Sequence, residues 1–276
     1  MDLENKLKGI PHIYYFNLDS KINRKEYMES QFNRWGIVNY TRISSSKYLA
    51  SKVDEWIHLI DGSIYDWGKN PAVTANAINH IEFIKWWLEN TNDPYMILME
   101  DDYDLSLIEY WHFDWEYLMN NIPYDWDCIQ LGYESHIQIN FFLSPKQASK
   151  SYFGPCMINR RYAQKLVDLH YDYINNKFMV KHKIANMRLL LDGGENSCSV
   201  DYFICENGRT YCLPLITTNN DLPSYENDKV TIRPHHEVSR ELYYDWWQND
   251  RDKFTLEDFF TYNKAYDYLM TKKINL

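Results

Sequence analysis

The sequence lacks the marks of several large functional classes. No apolar segment approaches the roughly 18 residues of a membrane-spanning helix, and the opening MDLENKLKGIP has no apolar core of the kind a signal peptide needs. No polybasic run offsets the formal net charge of -10, so the footprint of a protein that grips nucleic acid by its phosphates is missing and duplex DNA is disfavoured as a partner. Cys128, Cys156, Cys198, Cys205 and Cys212 include no C-x-x-C pair, which argues for reduced core thiols and against a zinc site. No Gly-rich phosphate loop occurs, and no G-x-G-x-x-G follows the first apolar run. No repeat or linker divides the chain, so a single domain over residues 1–276 is expected, in a cytoplasmic protein without a membrane span.

What is present is ordinary in bulk and unusual in detail. The 276 residues are 45% hydrophobic and 25% charged, enough to bury a real core. Aromatic residues make up 17%, with 24 Tyr and 10 Trp, a surplus that suits stacking on sugar rings and bases as well as packing. HIYYFNL (12–18) has the β-branched and aromatic character of a strand, with Asp19-Ser20 as turn and helix cap. Met28, Phe32 and Trp35 then recur at helical spacing until Gly36. Asn39–Ile43 reads as a second strand running into Ser44, Ala77 to Leu88 as a helix packed by one face, and Asp127–Gly132 as a buried strand. A last helix begins at Thr255 with a T-x-x-D cap. Alternating strands and helices predict an α/β sheet with helices on both faces, whose ligands bind outside the carboxyl ends of the strands.

The stretch YMILMEDDYDL (95–105) carries the chemistry. A run apolar enough to be buried on both faces ends in Glu100, Asp101, Asp102 and Asp104. Carboxylates so close repel one another unless water, basic partners or a cation compensates. An EF-hand is excluded: with Asp102 as first ligand, Leu107 falls where Gly is needed and Phe113 where the closing Glu belongs. Hard carboxylates at a strand end suit Mn²⁺ or Mg²⁺ with positions open to phosphate oxygens; a solvated acidic loop is the alternative.

Four stretches in order, YYFNLDSKINRKEYM, ANAINHIEFIKWW, MILMEDD and SYFGPCMINRRYAQKLV, resemble glycosyltransferase family 25, the lipopolysaccharide and procollagen galactosyltransferase-like enzymes of GT-A fold. The likeness covers roughly residues 12 to 216, with Asn79 standing where the family carries Ser before His80. It implies a GT-A-like, Rossmann-like mixed sheet flanked by helices, with a donor-binding part at about 10–135 and an acceptor side at about 136–276. The implied activity is inverting, metal-dependent transfer of a hexose from a UDP-sugar to a glycan or hydroxylated protein side chain. Asn17, Leu18, Asp19, Arg24, Ser44, His80, Glu100 and Asp101 would border the donor, and Asp102 and Glu100 would contact the metal, completed by His235 or His236. For the base that accepts the acceptor's proton, Asp201 in SVDYF comes first and Glu134 second. Trp56, Tyr65 and Trp67 are candidates for an acceptor-side lid. Two rival readings stand beside this one: a carbohydrate-binding protein on a degenerate transferase fold, and a transferase acting on a hydroxymethylated DNA base.

Overall fold

Strand β1 (Ile13–Asn17) is apolar along nearly its whole length because both of its faces are covered. Ile13 and Tyr15 point into one core, Tyr14 and Phe16 into the other. The computed structural model describes residues 6–62, 71–134, 138–146, 154–179, 200–219, 222, 234–261 and 271–273.

Helix α1 (Ile22–Trp35) buries Met28, Phe32 and Trp35 and stops at Gly36, whose φ of 66° turns the chain so that Gly36 and Ile37 donate to the carbonyls of Asn33 and Phe32. Its amino end is capped by Lys21 without a side-chain bond, so the expected Asp19-Ser20 cap is not used. Strand β2 (Tyr40–Ser44) pairs parallel with β1, setting Asn17 beside Ser44. Helix α2 (Pro71–Asn90) opens on a proline, whose fixed φ suits a first turn, and packs Ala77, Ile78, Ile81, Ile84 and Trp87 into the second core. Strand β3 (Tyr95–Glu100) then pairs parallel with the other side of β1. Its side chains alternate as those of β1 do, Ile97 and Met99 into one core, Met96 and Leu98 into the other. Each such buried side chain contributes about 1.5–3 kcal/mol relative to exposure.

Beyond β4 (Tyr103–Asp104) and α3 (Trp115–Asn121), β5 (Cys128–Gln130) re-enters the sheet. Strands β6 (Gln138–Asn140), β7 (Ser144–Pro145) and β8 (Cys156–Asn159) precede helix α4 (Arg160–His170). A short hairpin follows, β9 (Tyr171–Asp172) with β10 (Lys177–Phe178). Helix α5 (Val200–Cys205), β11 (Thr210–Cys212) and β12 (Thr217–Thr218) lead to α6 (Pro234–Asp245), which runs into a π-helical turn at Trp246–Asp250. Helix α7 (Leu256–Phe260) carries the expected capping box between Thr255 and Asp258, and β13 (Thr271–Lys273) pairs with β6.

The main sheet has seven strands in the order β2-β1-β3-β8-β5-β11-β7. It is mixed: β8 lies antiparallel between β3 and β5, β7 antiparallel on β11, and the other pairs are parallel. With helices on both faces, the α/β architecture expected from the alternation is present, and the sheet is mixed. From β1 the chain passes to β2 on one side and later to β3 on the other, so the strand order reverses at β1. In open α/β sheets such a reversal marks where the ligand crevice lies, here at the carboxyl ends of β1 and β3.

The aromatic surplus goes largely into the interior. Trp87, Trp111, Trp115, Trp246 and Trp247 are all buried, and Trp56, expected in a lid, is buried too, its indole N–H donating to the Leu49 carbonyl at 2.8 Å. Tyr65 and Trp67 lie outside the described residues. Cys128, Cys156, Cys205 and Cys212 are buried free thiols, as expected; Cys198 lies outside the described residues. No helix among the described residues is long and apolar enough to cross a membrane.

Candidate active site

The carboxyl ends of β2, β1 and β3 bring together residues from three separate stretches of the sequence. Asn17, the last residue of β1, donates from Nδ2 to Asp101 Oδ2 at 2.6 Å. Arg24, from the first turn of α1, donates to Asp101 Oδ1 at 2.6 Å and lies 3.5 Å from Asp102. Asp101 is thereby bound on both oxygens and only 1% exposed. A carboxylate so placed neutralises the buried guanidinium and fixes the turn; it is not presented to a ligand.

Asp102 differs from its neighbour. Its side chain keeps 31% of its surface accessible, yet the protein packed around it withholds enough water to raise its carboxyl to about 6. Arg24 opposes that rise, while the charges of Asp101 and Glu134 add to it. The turn beneath is tied down by Asn219, whose N–H donates to the Asp102 carbonyl at 2.6 Å.

Glu134, reached from β5 through Gly132, is buried and accepts from the Thr218 hydroxyl at 2.6 Å. Glu100 is half-buried and accepts from Asn76 at 2.8 Å. Asp104, which lay one step outside the acidic motif, is neither solvated nor open to a ligand: it is buried and accepts from the Ser106 N–H, Arg240 and Tyr244.

The β2 side adds a residue that sequence reasoning missed. Arg42 donates from Nε to Asn17 Oδ1 at 2.7 Å and forms an ion pair with Asp19, whose other oxygen accepts from Ser44 at 2.9 Å. Asp19 stays 57% exposed, and the bonds from Arg42 and Ser44 hold its carboxyl below the ordinary range. A chain of bonds thus runs from Arg24 through Asp101, Asn17, Arg42 and Asp19 to Ser44, across three strand ends. Leu18 borders this edge half-buried.

His80, placed among the donor-binding residues by resemblance, is fully buried instead. Its ring stacks on Phe16 at 3.7 Å and its Nδ1 bonds the Asn76 carbonyl at 2.9 Å. It supports β1 from below, and Asn79 beside it donates to the backbone carbonyls of Ser45, Tyr48 and Ala75. Burial pushes the His80 imidazole down to about 4, against the bond to Asn76. The unfolded chain takes up this proton below about 6.5 and the folded chain only near 4, so stability is full above 6.5 and drains away between the two values, by about 3 kcal/mol. In His80→Gln, the loss of unfolding free energy between pH 7 and pH 4.5, read from urea midpoints, should shrink by about 2–3 kcal/mol. An unchanged pH dependence would refute the assignment.

Asp201 lies in α5 and His235 and His236 at the start of α6, but their side chains fall outside the described residues. Among the described residues no group of three or more His, Cys, Asp and Glu side chains converges as a metal cage. The carboxylate on view is Asp102, with Glu134 near enough for its charge to be felt. A single open carboxylate fits a hard divalent cation of the kind held by one or two carboxylates and completed by phosphate oxygens and water.

No protein-family model matches the chain, and no curated protein matches it. Among solved structures the chain is similar to "A197 from STIV", over 75% of this chain and 84% of that one, at 10% identity and a TM-score of 0.35, a likeness too slight to carry an argument.

Proposed function

We propose that this chain is a GT-A-like glycosyltransferase of the inverting, cation-dependent kind, moving a hexose from a UDP-sugar to a hydroxyl of a glycan or hydroxylated protein side chain. One observation carries the reading: Asn17, Arg24, Asp101 and Asp102, picked out by separate motifs, meet at the carboxyl edge of β1 and β3 where the strand order reverses.

The chain's own residues divide the work. Arg24 and Asn17 hold Asp101 inward, which leaves Asp102 as the carboxylate facing the crevice. The chemistry a divalent cation supplies when bound at Asp102 is stabilisation of the negative charge gathering on the departing diphosphate. Asp19, oriented by Arg42 and Ser44, presents an acceptor to donor hydroxyls at the far end of the same edge. Of the two candidate bases, Glu134 is the one whose side chain is described: Thr218 orients it and its charge reaches Asp102.

The test is nucleotide release from UDP-, GDP- and CMP-sugars with Mn²⁺ or EDTA. Release from a UDP-sugar should need Mn²⁺ and fall by about a hundredfold or more in Asp102→Asn. Turnover in EDTA, or an active Asp102→Asn protein, would sink the proposal. Calorimetric binding of a glycan without any nucleotide or metal binding would favour the carbohydrate-binding rival.

A further inference from the structure

Helix α6 is fastened to both carboxylate-bearing segments of the candidate site by three side chains on one face. Arg240, Tyr243 and Tyr244 stand at i, i+3 and i+4, the spacing that puts them on a common stripe. The Tyr243 hydroxyl accepts from the Tyr133 N–H at 2.9 Å and donates to the Tyr133 carbonyl at 2.8 Å, so one phenol clasps both backbone groups of the residue next to Glu134. Arg240 and Tyr244 donate to Asp104 Oδ2 at 3.2 and 3.1 Å, two residues beyond Asp102, and Tyr244 also bonds the Ser106 hydroxyl.

The same two segments are tied from below. Strand β12 pairs with β4, Thr217 opposite Asp104 and Thr218 opposite Tyr103. From β12 Thr218 reaches Glu134, and the next residue, Asn219, reaches the Asp102 carbonyl. The helix itself is anchored elsewhere. Trp246 and Trp247 of the π-helical turn are buried in the first core, and the Trp247 indole donates to the Pro214 carbonyl at 2.9 Å. The Tyr243 ring is buried in the same core, so in that residue the ring anchors and the hydroxyl fastens. The three polar groups act on backbone and carboxylate positions one or two residues from Glu134 and Asp102.

We infer that α6 is a brace that sets the spacing of Asp102 and Glu134, with Arg240, Tyr243 and Tyr244 as positioning residues and Asp104 as their fixed point. The acidic strand end thus has two classes of carboxylate, Asp102 toward the crevice and Asp104 given over to holding the helix. The inference rests on the transferase reading in one respect: it takes Asp102 and Glu134 to act on the same bound donor and acceptor. The phenol clasp gives the brace its precision, since losing one hydroxyl frees the Tyr133 backbone while the ring keeps its packing against Phe141, 5.6 Å between centroids.

The test compares Tyr243→Phe, Arg240→Gln and Arg240→Lys with the parent protein in UDP-sugar turnover and in hydrogen exchange. Tyr243→Phe and Arg240→Gln should lower kcat by about tenfold or more with the donor KM within about twofold, because misplacement penalises the reacting geometry more than binding. Arg240→Lys, which keeps a cationic donor to Asp104, should recover most of the loss. Amide exchange should quicken together in residues 101–105 and 131–134 of Tyr243→Phe. Unchanged kcat with a raised KM, or unchanged exchange in both segments, overturns the brace. A parent protein that releases no nucleotide overturns the transferase reading instead, and exchange then still decides the brace. If Tyr243→Phe fails to fold, the half-exposed Arg240 pair carries the test.

Discussion

Arg24→Met should destabilise the folded protein by about 3–5 kcal/mol, the range found when one partner of a buried ion pair is removed. The loss does not come from the attraction alone. Arg24 and Asp101 are 3% and 1% exposed, and with the guanidinium gone Asp101 keeps a buried charge held by the Asn17 amide. Asp102, 3.5 Å from the same guanidinium, loses a cation that offsets its burial, so two carboxylates side by side then face each other. Removing both charges in Arg24→Met/Asp101→Leu should restore much of the loss, because an apolar pair of similar volume carries no desolvation penalty. A double-mutant cycle by urea denaturation reads this directly: the two single changes should sum to clearly more than the double. A cost below about 1 kcal/mol for Arg24→Met would mean that water or another group already compensates Asp101.

Strand β3 was legible because burial on both faces leaves an unbroken apolar run, and its acidic end stood out for the same reason. Gly36 and the Thr255–Asp258 box were legible because helix stops and caps are local chemistry. Arg42 was not, since its partners Asn17 and Asp19 become neighbours only once β1 and β2 pair in parallel register, and register is not written in either segment alone. Asp19 looked like a helix cap for that reason; its two oxygens are oriented by Arg42 and Ser44 from the next strand. The partner of Asp104 was not legible because Arg240 stands 136 residues away in the chain. Helix α6 went unread: its packed side mixes Val238 and Leu242 with Ser239, Arg240, Tyr243 and Tyr244, so no simple apolar stripe marks it. The acidic motif identified the right place, and the topology decided which carboxylate faces outward.

Gly154→Ala should be more damaging still, above about 4 kcal/mol, a size that single substitutions reach only through an identifiable steric or electrostatic fault. A Cβ on Gly154 would lie 1.6 Å from the Gly132 carbonyl oxygen and 2.4 Å from its carbon, inside any possible contact. Gly132 cannot yield, because a Cβ there would in turn sit 2.1 Å from the Ile216 carbonyl oxygen, so the three backbones are stacked without room for side chains. They are also bonded across: Leu131 donates to Pro155 at 2.6 Å, and Leu215 and Ile216 both donate to Leu131, at 2.7 and 2.9 Å. Relief of the clash therefore requires breaking backbone hydrogen bonds on both sides of Gly132, not rotating a side chain. Gly36→Ala supplies the scale, since its Cβ would meet nothing and only the φ of 66° is at issue, a cost of about 1 kcal/mol. Urea midpoints of the two variants should differ accordingly, and a Gly154→Ala protein as stable as the parent would show that the 132–154 approach is looser than described. Gly132 leads directly into Tyr133 and Glu134, so any Gly154→Ala protein that does fold should also displace Glu134 from Asp102 and lose nucleotide release, which Gly36→Ala should retain.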